Sequence, residues 1–223
     1  MNPNDRRTAI ERYDRRLAEF GPTERALGWG AKGRSRIRFE VLAAQWDLRD
    51  ARVLDVGCGF GDLYGYLRER GTDGVRYTGV DINPSLLAVA RERYPGARFV
   101  EADFLAGGFT EPADFVFTSG MFNHRLEDNL GFIGGMFARC DAVAAKGFGA
   151  NFLSDRVEYR LEHTYHADPC HILGLAYRYG NNVVLRNDYM PYEFTVFVNK
   201  ASRVDSALTV YEEFVRFERE PPR

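Results

Sequence analysis

The sequence predicts an α/β fold: a seven-stranded, mostly parallel sheet with helices on both faces, closed by a C-terminal antiparallel hairpin and preceded by an N-terminal helical extension. Beyond Asp50, short apolar runs alternate with segments of helical periodicity, the signature of parallel strands joined by crossover helices. Several of those runs are apolar throughout, as strands buried on both faces must be. Near the end, two further runs are separated only by a tight turn at Met190 and Pro191. Strands joined so closely can only be antiparallel neighbours.

From Asp5 to Phe20, the residues Ile10, Tyr13, Leu17 and Phe20 recur at helical spacing, which predicts an amphipathic helix stopped by Gly21 and Pro22. A second helix is expected from Arg34 to Trp46, after a loop, "LGWGAKG", that sets Trp29 among glycines. Then "ARVLDVG" reads as a strand, "DLYGYLRERG" as a helix closed by Gly71, and "YTGVDI" as a strand. "NPSLLAVARERYPG" is a helix capped by Asn83, with Pro84 in its first turn. "ARFVEADF" and "ADFVFTSG" are two more strands, "LEDNLGFIGGMFARCDAVAA" a helix weakened by its glycines, and "KGFGANFLS" the fifth strand. "DPCHILGLAYRYG" is a helix with Asp168 as cap, and "NNVVLRNDY" with "PYEFTVFVNK" makes the hairpin. "SRVDSALTVYEEFVRFERE" is expected to end the chain as a surface helix. The whole reads as one domain, with a helical lid over 1–50, a ligand-binding core over 51–200 and a terminal helix over 201–223.

A chain of 223 residues suits a single core, and 45% hydrophobic with 28% charged residues is ordinary globular composition. A formal charge of −2 leaves no global basic field for a polyphosphate, so nucleic acid is not an expected partner. Cys58, Cys140 and Cys170 are widely separated and lack C-x-x-C spacing, and the cluster His163, His166 and His171 fits no metal motif. No metal is expected, and a reducing compartment fits best. Without a secretory leader or an apolar run of roughly 18 residues, no membrane is expected and the cytoplasm is the expected location. The sequence is silent on oligomeric state.

In a parallel sheet the ligand crevice lies beyond the carboxyl ends of the strands, where strand order reverses. The chemically interesting residues cluster at such ends. "VLDVGCGFGDLYGYL" passes from strand to helix through Gly57, Gly59 and Gly61, so the chain turns sharply and a ligand meets backbone without a Cβ. A dinucleotide fingerprint would need its third glycine where Asp62 stands. Asp62 and Asp55 repel a pyrophosphate and attract a ligand bearing an ammonium and a sulfonium. Asp81, about 20 residues on, stands where a carboxylate accepts from both hydroxyls of a ribose. Asp103 closes the third strand and suits an exocyclic amine, with Ile82 and Phe104 as apolar walls for a purine.

In this order, "VLDVGCGFGD", "YTGVDIN", "FVEADF" and "DFVFTSGMFN" resemble the class I S-adenosylmethionine-dependent methyltransferases, over roughly Arg52 to Lys200. "LGWGAKGRSRIRFEVL" is similar to the N-terminal extension of a bacterial small-molecule branch. The resemblance implies a Rossmann-like core, S-adenosylmethionine as cofactor and a small-molecule acceptor. By position it implies Gly57 and Gly59 under the methionine moiety, Asp81 on the ribose, Asp103 and Phe104 beside the adenine, and Ser119 and Gly120 beside the sulfonium. Family members that methylate amide or exocyclic nitrogens often carry an N/D-P-P-Y type or acidic motif at the fourth strand's end. Here that end reads "SGMFNH", which withdraws support from methylation of nucleic-acid bases.

Cys58 sits within the cofactor turn and reads as a small filler rather than a nucleophile. Asp55 serves either the ligand or loop amides, and Asp62 either an ammonium or the helix cap. Trp29, with Tyr13 and Tyr165, forms either an aromatic wall for the sulfonium or ordinary core. The run Lys32, Arg34, Arg36 and Arg38 is a solvated helix face or a carboxylate site. Methyl transfer chiefly requires alignment and exclusion of water. For a hydroxyl or acidic nitrogen, His124 or His166 would act as base, whereas Tyr165, Asn123 and Trp29 would wall a compact site in which the cofactor itself reacts. Two alternatives remain: a cyclase in which the cofactor's own amine displaces methylthioadenosine to leave an azetidine ring, and a non-catalytic S-adenosylmethionine-binding module.

Overall fold

The computed structural model describes residues 3–29, 33–200 and 209–217. Strands β1 (Arg52–Val56), β2 (Arg76–Asp81), β3 (Arg98–Glu101), β4 (Ala113–Thr118), β5 (Ala144–Leu153), β6 (Asn182–Arg186) and β7 (Glu193–Asn199) form one sheet, ordered β3-β2-β1-β4-β5-β7-β6. The first five are mutually parallel, and β7 runs antiparallel between β5 and β6. The expected mostly parallel sheet with a closing hairpin is therefore present. Strand order reverses between β1 and β4, which places the crevice above their carboxyl ends.

Helices α1 (Pro3–Phe20), α2 (Arg34–Ala43), α3 (Asp62–Glu69), α4 (Pro84–Arg93), α5 (Asn129–Val143), α6 (Pro169–Ala176) and the short α7 (Glu212–Val215) complete the described chain. Their starts follow local chemistry. Asn83 accepts from the Leu86 N–H at 3.0 Å ahead of Pro84, and Asp168 accepts from the Cys170 N–H at 2.8 Å ahead of Pro169. One face of the sheet packs Leu54, Val116, Phe148 and Phe194 against α5 and α6. The other packs Val53, Phe115, Phe117 and Phe197 under α2 and α3. Alternate residues of β1 thus serve opposite cores, as a strand's period of two requires.

Among the elements whose extent differs from expectation are α2, β3 and the terminal helix. Helix α2 stops at Ala43, short of Trp46, because the Trp46 ring turns inward to stack on Phe115 at 4.7 Å. Strand β3 stops at Glu101, since the chain then folds into a turn in which the Gly108 N–H donates to Asp103 O. Of the expected terminal helix, only Glu212–Val215 is helical among the described residues, and 202–208 and 218–220 lie outside them. The basic run divides as well: Arg34 and Arg36 are exposed, Arg38 is 7% exposed and ion-paired, and Lys32 lies outside the described residues. Among the described residues no helix is long and apolar enough to cross a membrane.

Candidate active site

The corner after β1 is built from backbone. The Gly57 and Cys58 N–H groups both donate to Val80 O, at 2.8 and 3.2 Å. Gly57 and Gly59 take φ of 74° and 54°, values that side-chain-bearing residues rarely adopt. Gly61 has a packing role, since a Cβ there would stand 2.7 Å from the Phe99 ring. Cys58 is buried, and desolvation holds its thiol well above the ordinary range, as a filler rather than a nucleophile. Asp81 ties the corner together. Its Oδ2 accepts from the Gly59 N–H and its Oδ1 from the Asn83 N–H, each at 2.9 Å.

The carboxylates occupy distinct places. Asp55 is 3% exposed beneath the corner and accepts from the Tyr77 hydroxyl at 2.7 Å. Burial pushes its pKa up to about 7, against the Tyr77 hydrogen bond, with the charges of Asp81 and Asp62 adding to the rise. Asp62 begins α3 but pairs with Arg93 at 3.2 Å, so its acid is engaged by α4. Desolvation raises Asp62 and Asp81 also. Asp103 accepts from the Ala106 N–H at 3.0 Å and lies 3.7 Å from Arg6 of α1. Ile82 is half-buried beside Asp81. Phe104, expected as a purine wall, is 2% exposed within the core, with Arg139 over its ring.

At the end of β4, the Gly120 N–H donates to Asn151 Oδ1 at 2.8 Å, and Asn151 Nδ2 approaches Ser119 Oγ at 3.4 Å. Gly120 has a φ of 73°, and a Cβ there would stand 2.7 Å from the Trp29 ring. Met121 covers Gly57 and Leu27 covers Gly59, so apolar side chains from the loop after β4 and from the N-terminal region lie over the corner. Helix α1 closes it further: Tyr13 hydroxyl and His124 Nε2 are 2.8 Å apart, and Asn83 Nδ2 donates to Asp14 at 3.0 Å. The Tyr165 N–H donates to Asn123 O at 3.0 Å, bringing the 155–167 segment alongside. His166 is placed differently: Nδ1 lies 2.8 Å from Ser154 O and Nε2 3.0 Å from Thr164 Oγ1, outside the Tyr13–His124 contact. A separate groove of about 520 Å³ between α2 and the hairpin, lined by Arg36, Glu40, Tyr66, Arg186 and Tyr189, shares no lining residue with the corner.

Residues 53–147 match a family model described as a methyltransferase domain. Rv1506c of Mycobacterium tuberculosis, which carries a methyltransferase name, is 38% identical over 161 residues, 67% of this chain and 93% of that protein. The chain belongs to the class I S-adenosylmethionine-dependent methyltransferases. The methyltransferase is also 33% identical, over 76% of its own length and 65% of the relative's, to the trans-aconitate 2-methyltransferase of Rhizobium etli. Among solved structures it superposes on 1,6-didemethyltoxoflavin-N1-methyltransferase of Burkholderia thailandensis with a TM-score of 0.64. There the identity is 20% and the coverage 90% of this chain and 91% of that one, a likeness of fold.

The residues of the methyltransferase fit the cofactor of its family. Three carboxylates stand around one corner with the pKa of each raised by desolvation, and a bound ammonium and sulfonium would favour their charged forms. Asn151 and Tyr77, which hold Gly120 and Asp55, did not emerge from the sequence. A lone asparagine inside the apolar run "KGFGANFLS" was the available signal for Asn151; nothing local marks Tyr77.

Proposed function

We propose that this methyltransferase acts on a small molecule enclosed between the glycine corner and a lid made of α1, residues 20–29 and the 155–167 segment. The observation that carries this reading is the closure of α1 over the crevice, through Tyr13 to His124 and Asp14 to Asn83. An enclosed site suits a small acceptor and not a polymer. The Rhizobium enzyme, named for trans-aconitate, supports the same substrate scale.

S-adenosylmethionine supplies an already activated methyl group, so the chain's task is placement and exclusion of water. In this reading Asp81 takes the ribose, the backbone at Gly57 and Gly59 takes the methionine moiety once the Met121 and Leu27 side chains that cover it move aside, and Asp103 with Ile82 flanks the adenine. Cys58 contributes backbone only. Asp55 acts from beneath as part of the negative field, and Asp62 shares its charge with Arg93. Ser119 and Gly120, held by Asn151, border the reacting methyl, with Trp29 and Met121 keeping water out. Asn123, His124 and Tyr165 border the acceptor.

The test is an incubation with S-adenosylmethionine, with and without a bacterial metabolite extract, resolving the nucleosides released. S-adenosylhomocysteine that depends on the extract is expected. Methylthioadenosine released without an acceptor would replace this reading with ring closure, for which the comparisons offer no support. Binding with no turnover in any extract would favour the non-catalytic module.

A further inference from the structure

His124 stands on the acceptor side of the crevice with one ring nitrogen occupied and the other not. Nε2 meets the Tyr13 hydroxyl, while Nδ1 is buried without a hydrogen-bond partner. The charged or titratable groups facing the ring are Arg12 and Arg16 of α1 and His163 of the 155–167 segment. Carbonyls of Arg25 and Ala26 hold the Arg16 guanidinium, whereas Arg12 has no hydrogen-bond or ion-pair partner among the described residues.

Proton accounting settles which way the Tyr13–His124 bond runs. A neutral imidazole has one N–H and one lone pair, and a phenol has a single proton. Burial holds Tyr13 up to about 12 and His124 down to about 4, so both are neutral near pH 7. Were Nε2–H to donate to the phenol oxygen, the phenolic proton and the Nδ1 lone pair would both lack partners. With the phenol donating to Nε2, only Nδ1–H is unmet. One unmet buried group costs less than two. His124 therefore carries an N–H, not a basic lone pair, at its unpaired nitrogen, whereas the ring nitrogens of His166 lie within hydrogen-bond distance of Ser154 O and Thr164 Oγ1.

Resting on the methyl-transfer reading above, we propose that His124 is a hydrogen-bond donor to a carboxylate of the acceptor, its tautomer fixed by Tyr13, and that the product is a methyl ester. A carboxylate oxygen forms the new bond to the methyl carbon while the S–CH3 bond breaks and its electron pair stays on sulfur. No proton leaves, so no base is needed. The guanidinium groups of Arg12 and Arg16 favour an anion beside His124 and disfavour an acceptor that arrives as an ammonium. Tyr13 is a positioning residue: it acts through His124, and only while α1 is docked.

Full-length protein labelled with 15N-histidine, without cofactor, gives the first test by long-range proton–nitrogen NMR, with His124 assigned by its loss in His124→Gln. Wild type should carry its proton on Nδ1, and Tyr13→Phe should shift the population toward Nε2–H while the other histidines stay unchanged. A bare Nδ1 in wild type, or an unchanged tautomer in Tyr13→Phe, would overturn the role of His124 whatever the reaction proves to be. The second test incubates methyl-tritiated S-adenosylmethionine with metabolite extract and treats the product with mild alkali. Label released as volatile methanol is expected, with His124→Gln lowering its formation by about a hundredfold; alkali-stable label would overturn the carboxylate acceptor. Transfer of no label to any component would count instead against the underlying methyl-transfer reading.

Discussion

Asp81 serves two backbone donors with one carboxylate, joining the glycine corner to the first turn of α4. Asp81→Ala should weaken S-adenosylhomocysteine binding by about 1–3 kcal/mol. Asp81→Asn should weaken it nearly as much, because an amide NH2 cannot accept from both N–H groups. Wild-type affinity for the asparagine variant in titration calorimetry would refute this role. At Gly120 two costs coincide, a left-handed φ and the nearby Trp29 ring. Gly120→Ala should cost about 1–3 kcal/mol in urea denaturation. Repeating it in a Trp29→Ala background should recover the contact part and leave the backbone part. Spacing made Gly57, Asp81 and Asp103 legible, since their places follow from strand ends alone. It could not show that Phe104 turns into the core or that Arg93 takes Asp62, because both depend on which face of which helix lies opposite.

Helix α1 docks with none of its residues fully buried, so what holds it is specific contacts, among them Tyr13 to His124, Asp14 to Asn83, Arg16 to the Arg25 and Ala26 carbonyls, Arg6 to Asp103, and Leu17 and Phe20 on the cluster of Ala26, Phe60 and Leu86. Periodicity revealed the helix. Its partner was hidden, because 111 residues separate Tyr13 from His124. Burial of that imidazole also shapes the pH dependence. His124 is neutral when folded but protonated when unfolded between about pH 4 and 6.5, so its contribution to stability climbs as pH rises through that window. Asp55 works oppositely. With a folded pKa of about 7 against 3.8, the native state holds an extra proton in between, and stability falls as pH rises from about 4 to 7. Urea titrations from pH 4 to 8 should show the climb flattened in His124→Gln and the fall flattened in Asp55→Asn. Slopes of the reverse sign would contradict the burial of these groups.

Across the molecule, Arg38 of α2 and Glu193 of β7 form a buried bidentate pair, 7% and 2% exposed, with the Arg38 guanidinium 4.3 Å from the centre of the Trp29 ring. The pair links the hairpin to the loop that covers the crevice. Glu193→Ala strands a guanidinium in the interior and should cost about 3–5 kcal/mol, whereas Arg38→Met with Glu193→Ala should restore most of it. Equal urea midpoints for the single and double variants would argue against such coupling. Alternating apolar runs and the tight Met190–Pro191 turn made the sheet legible in outline. The position of β7 inside it was not, since a hairpin's pattern is the same whichever of its strands meets the sheet. That placement matters while the chain is being made. Once residue 153 has emerged from the ribosome every parallel strand exists, yet the outer edge of β5 has no mate until residues 193–199 follow. At ribosomal speeds the intervening stretch of roughly 40 residues takes about 2–8 seconds. For that interval a long apolar edge is open to other nascent chains, and a message truncated before Glu193 would yield a product that aggregates rather than one that merely lacks a tail.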